Sequence, residues 1–335
     1  MSYKSAIIGT GKIAGLFDHL SKTNGVYSHA KACRQTTNID LKAACDSNPE
    51  RLNRFCRLWK INTKYTHINQ LLDHGRFDVI SLCVPTKIHF KLIKTILEHP
   101  HRPKVLLVEK PICLEKDELR RIQQLLKKTK GKLIVNHHYR FNQGLQKVSD
   151  IIQRRTLGDT LAIRGVYYGG LMNNGVHLID MLRMILDSDL KIVQARKGAI
   201  GRLHDPCVDV ELKAARFPKI QIFLESVEEK YYQIFEMEIR LEKGRIRIMD
   251  FGKEIYIDKA VKNRLGEVEL KNIEKIKTPK DRHPFRCIFE GIAKYLENGD
   301  QTMIRSVGIE ETRKTMNTLW QIREKALKNE RKISH

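Results

Sequence analysis

The chain lacks a long run of apolar residues. No segment of its 335 residues reaches the roughly 20 consecutive apolar residues that a membrane-spanning helix needs. The first residues lead directly into a predicted strand, without the apolar region of a signal peptide. We therefore expect a cytoplasmic protein that makes no contact with a membrane.

Paired cysteines are also missing. The seven cysteines are scattered along the chain, and no two of them are spaced as Cys-x-x-Cys. Such a set argues against a disulfide framework and against a structural zinc site. Cys45 and Cys83 fall in apolar, strand-like segments and are predicted to be small core residues. We expect no bound metal.

Acidic residues are few compared with basic ones. The chain holds 62 Lys and Arg against 39 Asp and Glu, a net charge of +23, and the first 140 residues hold 26 against 11. This excess raises nucleic acid or another polyanion as a partner. No zinc-finger, RNP or basic leucine-zipper pattern accompanies it, so we do not expect nucleic acid as the partner. A lysine-rich composition, or attraction of an anionic small substrate, explains the charge equally well.

The first 140 residues alternate between strand-like and helix-like segments. The predicted strands are Ser5–Ile8, Leu41–Cys45, Val79–Val84, Val105–Val108 and Leu133–Asn136. Segments with helical periodicity lie between them: Pro49–Lys60, His89–His99 and Lys116–Lys128. This alternation predicts right-handed crossovers and a doubly wound parallel sheet of the Rossmann type.

The second half of the sequence does not continue this strand–helix alternation. A short helix over 144–154 and a strand over 161–168 precede a segment, 169–186, that becomes helical. Alternating strand-like runs follow: Val208–Phe217, Gln221–Ser226, Ile234–Leu241, Arg245–Met249 and Glu254–Ile257. Lys243-Gly244 is predicted to be a hairpin turn, and helices over 284–297 and 307–329 close the chain.

These patterns predict two domains. Residues 1–138 are expected to form the dinucleotide-binding Rossmann domain. Residues 139–335 are expected to form an α+β domain with a mostly antiparallel open sheet, which serves substrate binding and oligomerisation. An open sheet face of this kind suits a homodimer or a homotetramer.

A glycine motif follows the first predicted strand directly. The motif G-x-G-x-x-G/A is matched by Gly9, Thr10, Gly11, Lys12, Ile13 and Ala14. The first glycine permits a tight turn, the second lets the backbone approach a pyrophosphate, and the third small residue lets the helix pack on the strand. The motif predicts a nicotinamide dinucleotide site.

Asp46 ends the second predicted strand. A carboxylate there accepts hydrogen bonds from the adenosine ribose and repels a 2′-phosphate, which favours NAD over NADP. Ala14 and Asp46 are further apart than the usual interval of about 20 residues, so we expect an insertion, with a loop near 21–25. Arg51 and Arg54 weaken the preference and keep NADP possible. The alternative for Asp46 is a turn or helix-capping role.

Glu109-Lys110-Pro111 ends the apolar run 105–108. Pro111 biases Lys110 away from helical geometry, and ligands of open α/β sheets bind beyond the carboxyl ends of the strands. A charged pair at this edge is costly unless it has a partner or a task. It is interpreted either as an ion pair at a strand end or as part of a reaction site.

In this order the motifs resemble those of the Gfo/Idh/MocA oxidoreductases, relatives of glucose–fructose oxidoreductase and inositol dehydrogenase. The resemblance covers essentially the whole chain. It is carried by the glycine motif, Asp46, Val84-Pro85-Thr86 with His89, Glu109-Lys110-Pro111, Asn136 to Phe141, and His177-Leu178-Ile179-Asp180.

The resemblance implies a reversible oxidation of a secondary alcohol on a sugar, sugar nucleotide or cyclitol. It implies that the cofactor lies between the two domains. Val84 and Pro85 line the nicotinamide pocket, with His89 and Glu109 in support. Lys110 donates a hydrogen bond to the reacting oxygen, and His177 exchanges its proton.

The chemistry of these residue types agrees with that assignment. Hydride leaves a carbinol carbon as its hydroxyl proton is removed, and histidine, with an ordinary pKa of about 6.5, serves both directions. An ammonium group stabilises the charge that develops on the oxygen. The lysine could take the base role instead, and His177 could simply cap or pack a helix.

Three further residues are assigned to substrate binding. Many members of the family carry an acidic residue where this chain has Asn173, and the subgroup that acts on nucleotide-linked amino sugar acids is similar in having asparagine there. Asn173 orients a hydroxyl or an amide, or else forms part of a turn. Arg140 holds an anionic group or forms a salt bridge at the domain boundary. Asp180 ends the histidine motif and is assigned with it.

Two other functions compete with a dehydrogenase. One is a dinucleotide-binding regulator or scaffold without turnover, and the other is a basic polyanion-binding protein. A binding module needs neither Lys110 nor His177, and a polyanion-binding protein predicts an affinity that falls steeply with salt.

Overall fold

The computed structural model describes residues 2–20, 25–198, 205–278 and 283–333. The chain divides into two compact units. The first unit is Met1–Phe141 with Pro279–Arg313, and the second is Asn142–Thr278 with Lys314–His335.

A parallel six-stranded sheet forms the centre of the first unit, as far as the described residues show. Its strands are β1 (Tyr3–Ile8), β2 (Ile39–Cys45), β3 (Thr63–Tyr65), β4 (Val79–Leu82), β5 (Val105–Val108) and β6 (Lys132–Val135). The spatial order is β3-β2-β1-β4-β5-β6. The order reverses beside β1, which is the arrangement of a doubly wound sheet.

Helices follow the strands of this sheet. They are α1 (Phe17–Leu20), α2 (His29–Gln35), α3 (Pro49–Leu58), α4 (Ile68–His74), α5 (His89–Glu98) and α6 (Lys116–Thr129). Local sequence fixes several of their starts. The Asn48 side chain caps α3 ahead of Pro49, and Glu115 and Glu118 form a capping box at α6.

The strand register aligns the carboxyl ends of the sheet. Ile8 pairs with Cys45 and with Leu82, Leu82 pairs with Val108, and Val108 pairs with Val135. The residues that follow these ends therefore lie along one edge. Cys45 and Cys83 are buried there, which confirms their prediction as core residues.

A later part of the chain returns to the first unit. It contains α9 (Pro284–Asn298) and α10 (Thr302–Ser306), and the long helix α11 (Ile309–Ile333) begins there. Phe285, Phe289 and Ile292 of α9 join the same core cluster as residues of α2. The predicted single boundary between residues 138 and 139 therefore differs from the observed division. The difference arises because the apolar face of α9 is buried in the core of the first unit. The roles assigned to the two predicted domains stay predictions.

The second unit contains an eight-stranded sheet, counted over the residues that are described. Its strands are β7 (Thr160–Tyr168), β8 (Leu190–Lys197), β9 (Val208–Ala214), β10 (Phe217–Val227), β11 (Phe235–Leu241), β12 (Gly244–Met249), β13 (Glu254–Lys262) and β14 (Val268–Lys277). Their order is β14-β13-β12-β11-β7-β10-β9-β8, and all neighbouring pairs are antiparallel except β7 with β10. The helices α7 (Gln143–Gln153) and α8 (Val176–Leu186) complete the unit with the end of α11.

One face of this sheet is buried and the other is polar. Along β11, Phe235, Met237 and Ile239 are buried, while Glu236 and Glu238 between them are partly exposed. This alternation is typical of an antiparallel sheet with one open face. The predicted fold class, a Rossmann sheet followed by a mostly antiparallel open sheet, is confirmed.

Three strands were not anticipated from the sequence. They are β3, β8 and β14, and each lies at or next to an edge with few buried residues; β14 has no buried residue at all. Without a buried face the sequence has no apolar period to read. The predicted hairpin turn joins β11 and β12, but its two turn residues are Glu242 and Lys243, one position earlier than predicted, and Gly244 begins β12. The loop predicted near 21–25 lies, except for Gly25, outside the described residues.

No helix within the described ranges is long and apolar enough to cross a membrane.

Candidate active site

The glycine turn sits at the carboxyl end of β1. Gly9 has φ +86°, and a side chain there would lie 2.6 Å from the Cys83 carbonyl oxygen and 2.8 Å from Val84 Cγ1. Only glycine combines this conformation with so close an approach to the end of β4. The turn therefore brings the first and fourth strands together at the edge of the sheet.

The second glycine leaves open space. A Cβ built on Gly11 would meet nothing within 4 Å among the described residues. Lys12 and Ile13 begin the π-helical turn Lys12–Leu16, with Lys12 exposed and Ile13 packed on the core. An open backbone before a helical segment suits a pyrophosphate, so the residues present fit a dinucleotide.

Asp46 lies beside this turn and is 5% exposed. Its Oδ2 accepts hydrogen bonds from Thr10 N and Thr10 Oγ1, both at 2.8 Å, and from Arg51 Nε at 2.8 Å. Its Oδ1 accepts from Asn48 N at 2.9 Å and from Arg51 Nη2 at 2.7 Å. Burial raises the pKa of Asp46, but Arg51 and the other donors outweigh it and hold the pKa at about 2.

His89 joins the two strand ends that carry Val84-Pro85 and Pro111. The imidazole is fully buried; Nε2 lies 2.9 Å from the Val84 carbonyl oxygen, and Nδ1 lies 3.1 and 3.2 Å from the carbonyl oxygens of Pro111 and Ile112. Burial lowers the pKa of His89. Val84 is partly exposed and Pro85 is exposed, so both reach the surface at this edge.

Glu109 is the buried centre of the motif after β5. Its Oε1 lies 2.7 Å from His29 Nε2 and accepts from Asn136 Nδ2 at 2.6 Å, while Oε2 accepts from the backbone N–H of Lys110 at 3.3 Å. Burial raises the pKa of Glu109, but the His29 hydrogen bond and the other groups outweigh it and hold the pKa at about 2. Lys110 is partly exposed, and its peptide bond to Pro111 is cis.

The segment after β6 carries Arg140 and two histidines. The Arg140 guanidinium lies 3.6 Å from Glu311, and its side chain is 9% exposed. His138 packs against Phe285 with ring centroids 5.0 Å apart, and burial lowers its pKa to about 3. His137 is 2% exposed. Arg140 thus forms a salt bridge within its own unit and not at a domain boundary, and its contact with substrate stays a prediction.

In the second unit, Asp205 holds the segment that carries Asn173. The π-helical turn Leu171–Gly175 has two backbone donors at its start, and Asp205 accepts from both: Met172 N at 2.7 Å and Asn173 N at 2.9 Å. A Cβ on Gly170 would lie 2.1 Å from the Asp205 carboxyl carbon. The Asn173 side chain is exposed.

The histidine motif lies on α8, directly after this segment. Ten of the eleven residues of α8 are buried, and His177 is 8% exposed. Asp180 is 2% exposed and accepts a hydrogen bond from Thr315 Oγ1 at 2.8 Å, which ties α8 to α11. This contact gives Asp180 a role in packing, and its part in substrate binding stays a prediction.

The described part of the chain contains no group of three or more His, Cys, Asp or Glu arranged to hold a metal ion.

Comparison with known proteins identifies a family for part of the first unit. A model described as "Oxidoreductase family, NAD-binding Rossmann fold", the Gfo/Idh/MocA family, matches residues 3–137. Residues 3–137 form the NAD-binding Rossmann domain of this family. The expected family and the nicotinamide dinucleotide cofactor are confirmed, since the match covers the glycine turn, Asp46, His89 and Lys110.

Curated relatives match part of the length of this chain. It is 24% identical over 210 residues to "Uncharacterized oxidoreductase YrbE" of Bacillus subtilis, covering 58% of this chain and 57% of that protein. It is 22% identical over 230 residues to "Myo-inositol 2-dehydrogenase" of Thermotoga maritima, covering 63% and 64%. The matches thus span about three fifths of the length of these relatives.

A solved structure extends the likeness in fold to the whole chain. KijD10, "a 3-ketoreductase from Actinomadura kijaniata" in complex with NADP, has a TM-score of 0.78 and 16% identity, and covers 97% of this chain and 98% of its own. At this identity the comparison shows the fold.

Within the Gfo/Idh/MocA domain, one sheet edge gathers most of the predicted cofactor residues. The turn at Gly9, the Asp46 carboxylate, His89 and Glu109 all follow aligned strand ends. Sequence reasoning missed His29, and in the second unit it missed Asp205. Each lies far along the chain from the residue it contacts, so no local pattern marks either of them.

Proposed function

We propose that this chain is an NAD(P)-dependent oxidoreductase that interconverts a secondary alcohol and a ketone on a sugar, sugar nucleotide or cyclitol. The observation that carries the proposal is the position of Lys110 after β5, on the same sheet edge as the glycine turn at Gly9. The names of a myo-inositol dehydrogenase relative and of a 3-ketoreductase with the same fold support this class of substrate.

A bound nicotinamide dinucleotide supplies the hydride acceptor or donor. Gly9, Thr10, Gly11, Lys12 and Ile13 are proposed to hold its phosphates through the open loop. Asp46 is proposed to hold the adenosine ribose, while Val84, Pro85, His89 and Glu109 support the nicotinamide.

Lys110 and His177 are proposed to handle the proton. Lys110 donates a hydrogen bond to the alcohol oxygen and stabilises the charge that forms as the proton leaves. His177 takes that proton in oxidation and returns it in reduction. Asn173, which is exposed, is proposed to orient a substrate hydroxyl, and Arg140 to hold an anionic substituent.

The test is the change in absorbance of NADH and NADPH during turnover with a panel of polyols, cyclitols and nucleotide sugars. Lys110→Ala and His177→Ala are each expected to lower kcat/KM by about 100-fold or more. Lys104→Ala is the matched control, because Lys104 precedes the same strand and pairs with Asp78. It should retain wild-type activity.

Unchanged activity in both site variants would reject the assignment of Lys110 and His177. Cofactor binding without turnover of any alcohol would favour the regulator or scaffold. Binding to nucleic acid that persists at physiological salt would favour the polyanion-binding protein.

A homodimer or homotetramer is proposed as well. Support comes from the open second sheet, whose edge strand β14 exposes the apolar side chains of Val268, Leu270 and Ile273. Light scattering on the purified protein measures the mass directly. Location in the cytoplasm stays a prediction.

A further inference from the structure

His29 makes a buried contact with the motif that carries Lys110. It is the first residue of α2 and is fully buried, with Phe285 and Phe289 at ring-centroid distances of 5.3 and 5.9 Å in edge-to-face geometry. Its Nε2 lies 2.7 Å from Glu109 Oε1. A polar ring in such an aromatic surrounding is stable only if its polar atoms are used.

The two ring nitrogens of His29 differ in their surroundings. Nδ1 is buried and has no hydrogen-bond partner among the described residues, whereas Nε2 faces the carboxylate. The proton is therefore assigned to Nε2, which donates to Glu109. A donor on Nδ1 would have no acceptor in that part of the structure.

The Glu109 carboxylate links His29 to the backbone of Lys110. One oxygen accepts from His29 and Asn136, and the other accepts from the Lys110 N–H. The carboxylate thus connects α2, the end of β6 and the residue proposed to face the substrate. Rotation of the Glu109 side chain would break all three contacts together.

The start of α2 is itself fixed to the helix that follows the glycine turn. Asp18 of α1 accepts from the backbone N–H of Tyr27 at 2.9 Å and from the hydroxyl of Ser28, the residue that caps α2. His29 therefore projects toward Glu109 from a helix start that is held by the cofactor-binding part of the unit. Both helices lie in the first unit.

We propose that His29 is a positioning residue that orients Lys110 through the Glu109 carboxylate. The proposal rests on the proposed function, which gives Lys110 its contact with the reacting oxygen. His29 touches neither substrate nor cofactor in this role. Its Nε2–H fixes one oxygen of Glu109, so that the other holds the Lys110 backbone in one place.

Two variants of His29 distinguish a positioning role from a purely structural one. If His29 only fills an aromatic pocket, His29→Leu should be tolerated better than His29→Gln, because glutamine places an amide among aromatic rings. If His29 acts as a donor, His29→Gln should be the better enzyme, because its amide N–H can replace Nε2–H. The order of the two variants separates the explanations.

The first measurement is steady-state kinetics on full-length protein, with the panel alcohol that wild type turns over fastest. His29→Leu is expected to lower kcat by about tenfold, the loss expected for a hydrogen bond to a charged group. His29→Gln should recover most of it, and the NADH dissociation constant should change far less than kcat in both variants. Ile292→Ala, a fully buried residue of the same core, is the packing control with unchanged kcat.

A double-mutant cycle then tests the route through Glu109. In a Glu109→Gln background, His29→Leu should lower kcat no further, since the amide nitrogen of glutamine cannot accept from the Lys110 N–H and the route to Lys110 is already broken. Additive losses, or a His29→Gln enzyme slower than His29→Leu, would overturn the proposal.

The second measurement does not depend on turnover. Acetylation of Lys110 by acetic anhydride, followed by mass spectrometry, reports the surroundings of its amine. The rate of Lys110 acetylation should differ from wild type in His29→Leu and return toward the wild-type rate in His29→Gln. If wild type oxidises no alcohol, the proposed function fails, yet this labelling still decides whether His29 positions Lys110; equal rates in all three proteins would reject it.

Discussion

Arg51 holds Asp46 through two parallel hydrogen bonds, Nε to Oδ2 at 2.8 Å and Nη2 to Oδ1 at 2.7 Å. Asp46 is the residue proposed to bind the adenosine ribose, and both of its oxygens are already accepting hydrogen bonds. The Arg51 side chain is 47% exposed, so it is the donor most easily exchanged for a ribose hydroxyl. The same guanidinium is suited to a 2′-phosphate.

The pair therefore predicts how the cofactor preference can be changed. Arg51→Ala should favour NAD, and Asp46→Ala should favour NADP, each by about tenfold in the ratio of dissociation constants. Fluorescence titration with NADH and NADPH measures both. Arg57→Ala, an exposed arginine on the same helix α3, is the control; an equal shift in that variant would show that general charge, and not the pair, sets the preference.

The same carboxylate predicts a loss of stability in acid. Its pKa is about 2 in the folded protein against an ordinary value of 3.8, so its stabilisation is complete above about pH 4 and is lost as the pH falls toward 2. The amount is on the order of 2 kcal/mol. Urea unfolding at several pH values should show this loss in wild type and not in Asp46→Asn. Parallel curves for the two proteins would contradict it.

Gly170→Ala should destabilise the second unit. The new methyl group would lie 2.1 Å from the Asp205 carboxyl carbon and displace the carboxylate from the backbone donors of Met172 and Asn173. We expect a cost of about 1–3 kcal/mol in the free energy of unfolding, measured by urea denaturation. Asp205→Asn, which keeps the shape of the side chain, should cost less. A Gly170→Ala protein as stable as wild type would show that the segment does not need this cap.

The burial of His138 predicts a second pH dependence of stability, due to a base and not to a carboxylate. Burial holds its pKa at about 3, below its ordinary 6.5, so the unfolded chain takes up the proton first and stability falls as the pH drops below 6.5. Between pH 7 and pH 5 this amounts to about 2 kcal/mol. His138→Phe should flatten that slope in thermal or urea unfolding. Replacement of the exposed His74 by alanine should leave the slope as it is.

Local patterns were enough to predict the main architecture. The buried runs of β4 and β5 and the glycine turn at Gly9 all follow from residues close together in the chain. So does the strand-end position of Glu109 and Lys110. A parallel sheet places the carboxyl ends of its strands at one edge, so the sequence also indicated which motifs would gather there.

Short periodic segments and fixed motifs were enough to predict the class of fold, the family and the sheet edge that is proposed to bind a dinucleotide, because each of these depends on residues close together in the chain. Three features are visible only in the folded chain: His29 holds Glu109, Asp205 caps the turn before His177, and α9 returns to the first unit. In each of them, a hydrogen bond or an apolar contact forms between groups that packing brings together. When those groups are far apart in the chain, neither residue carries a local sign of its partner.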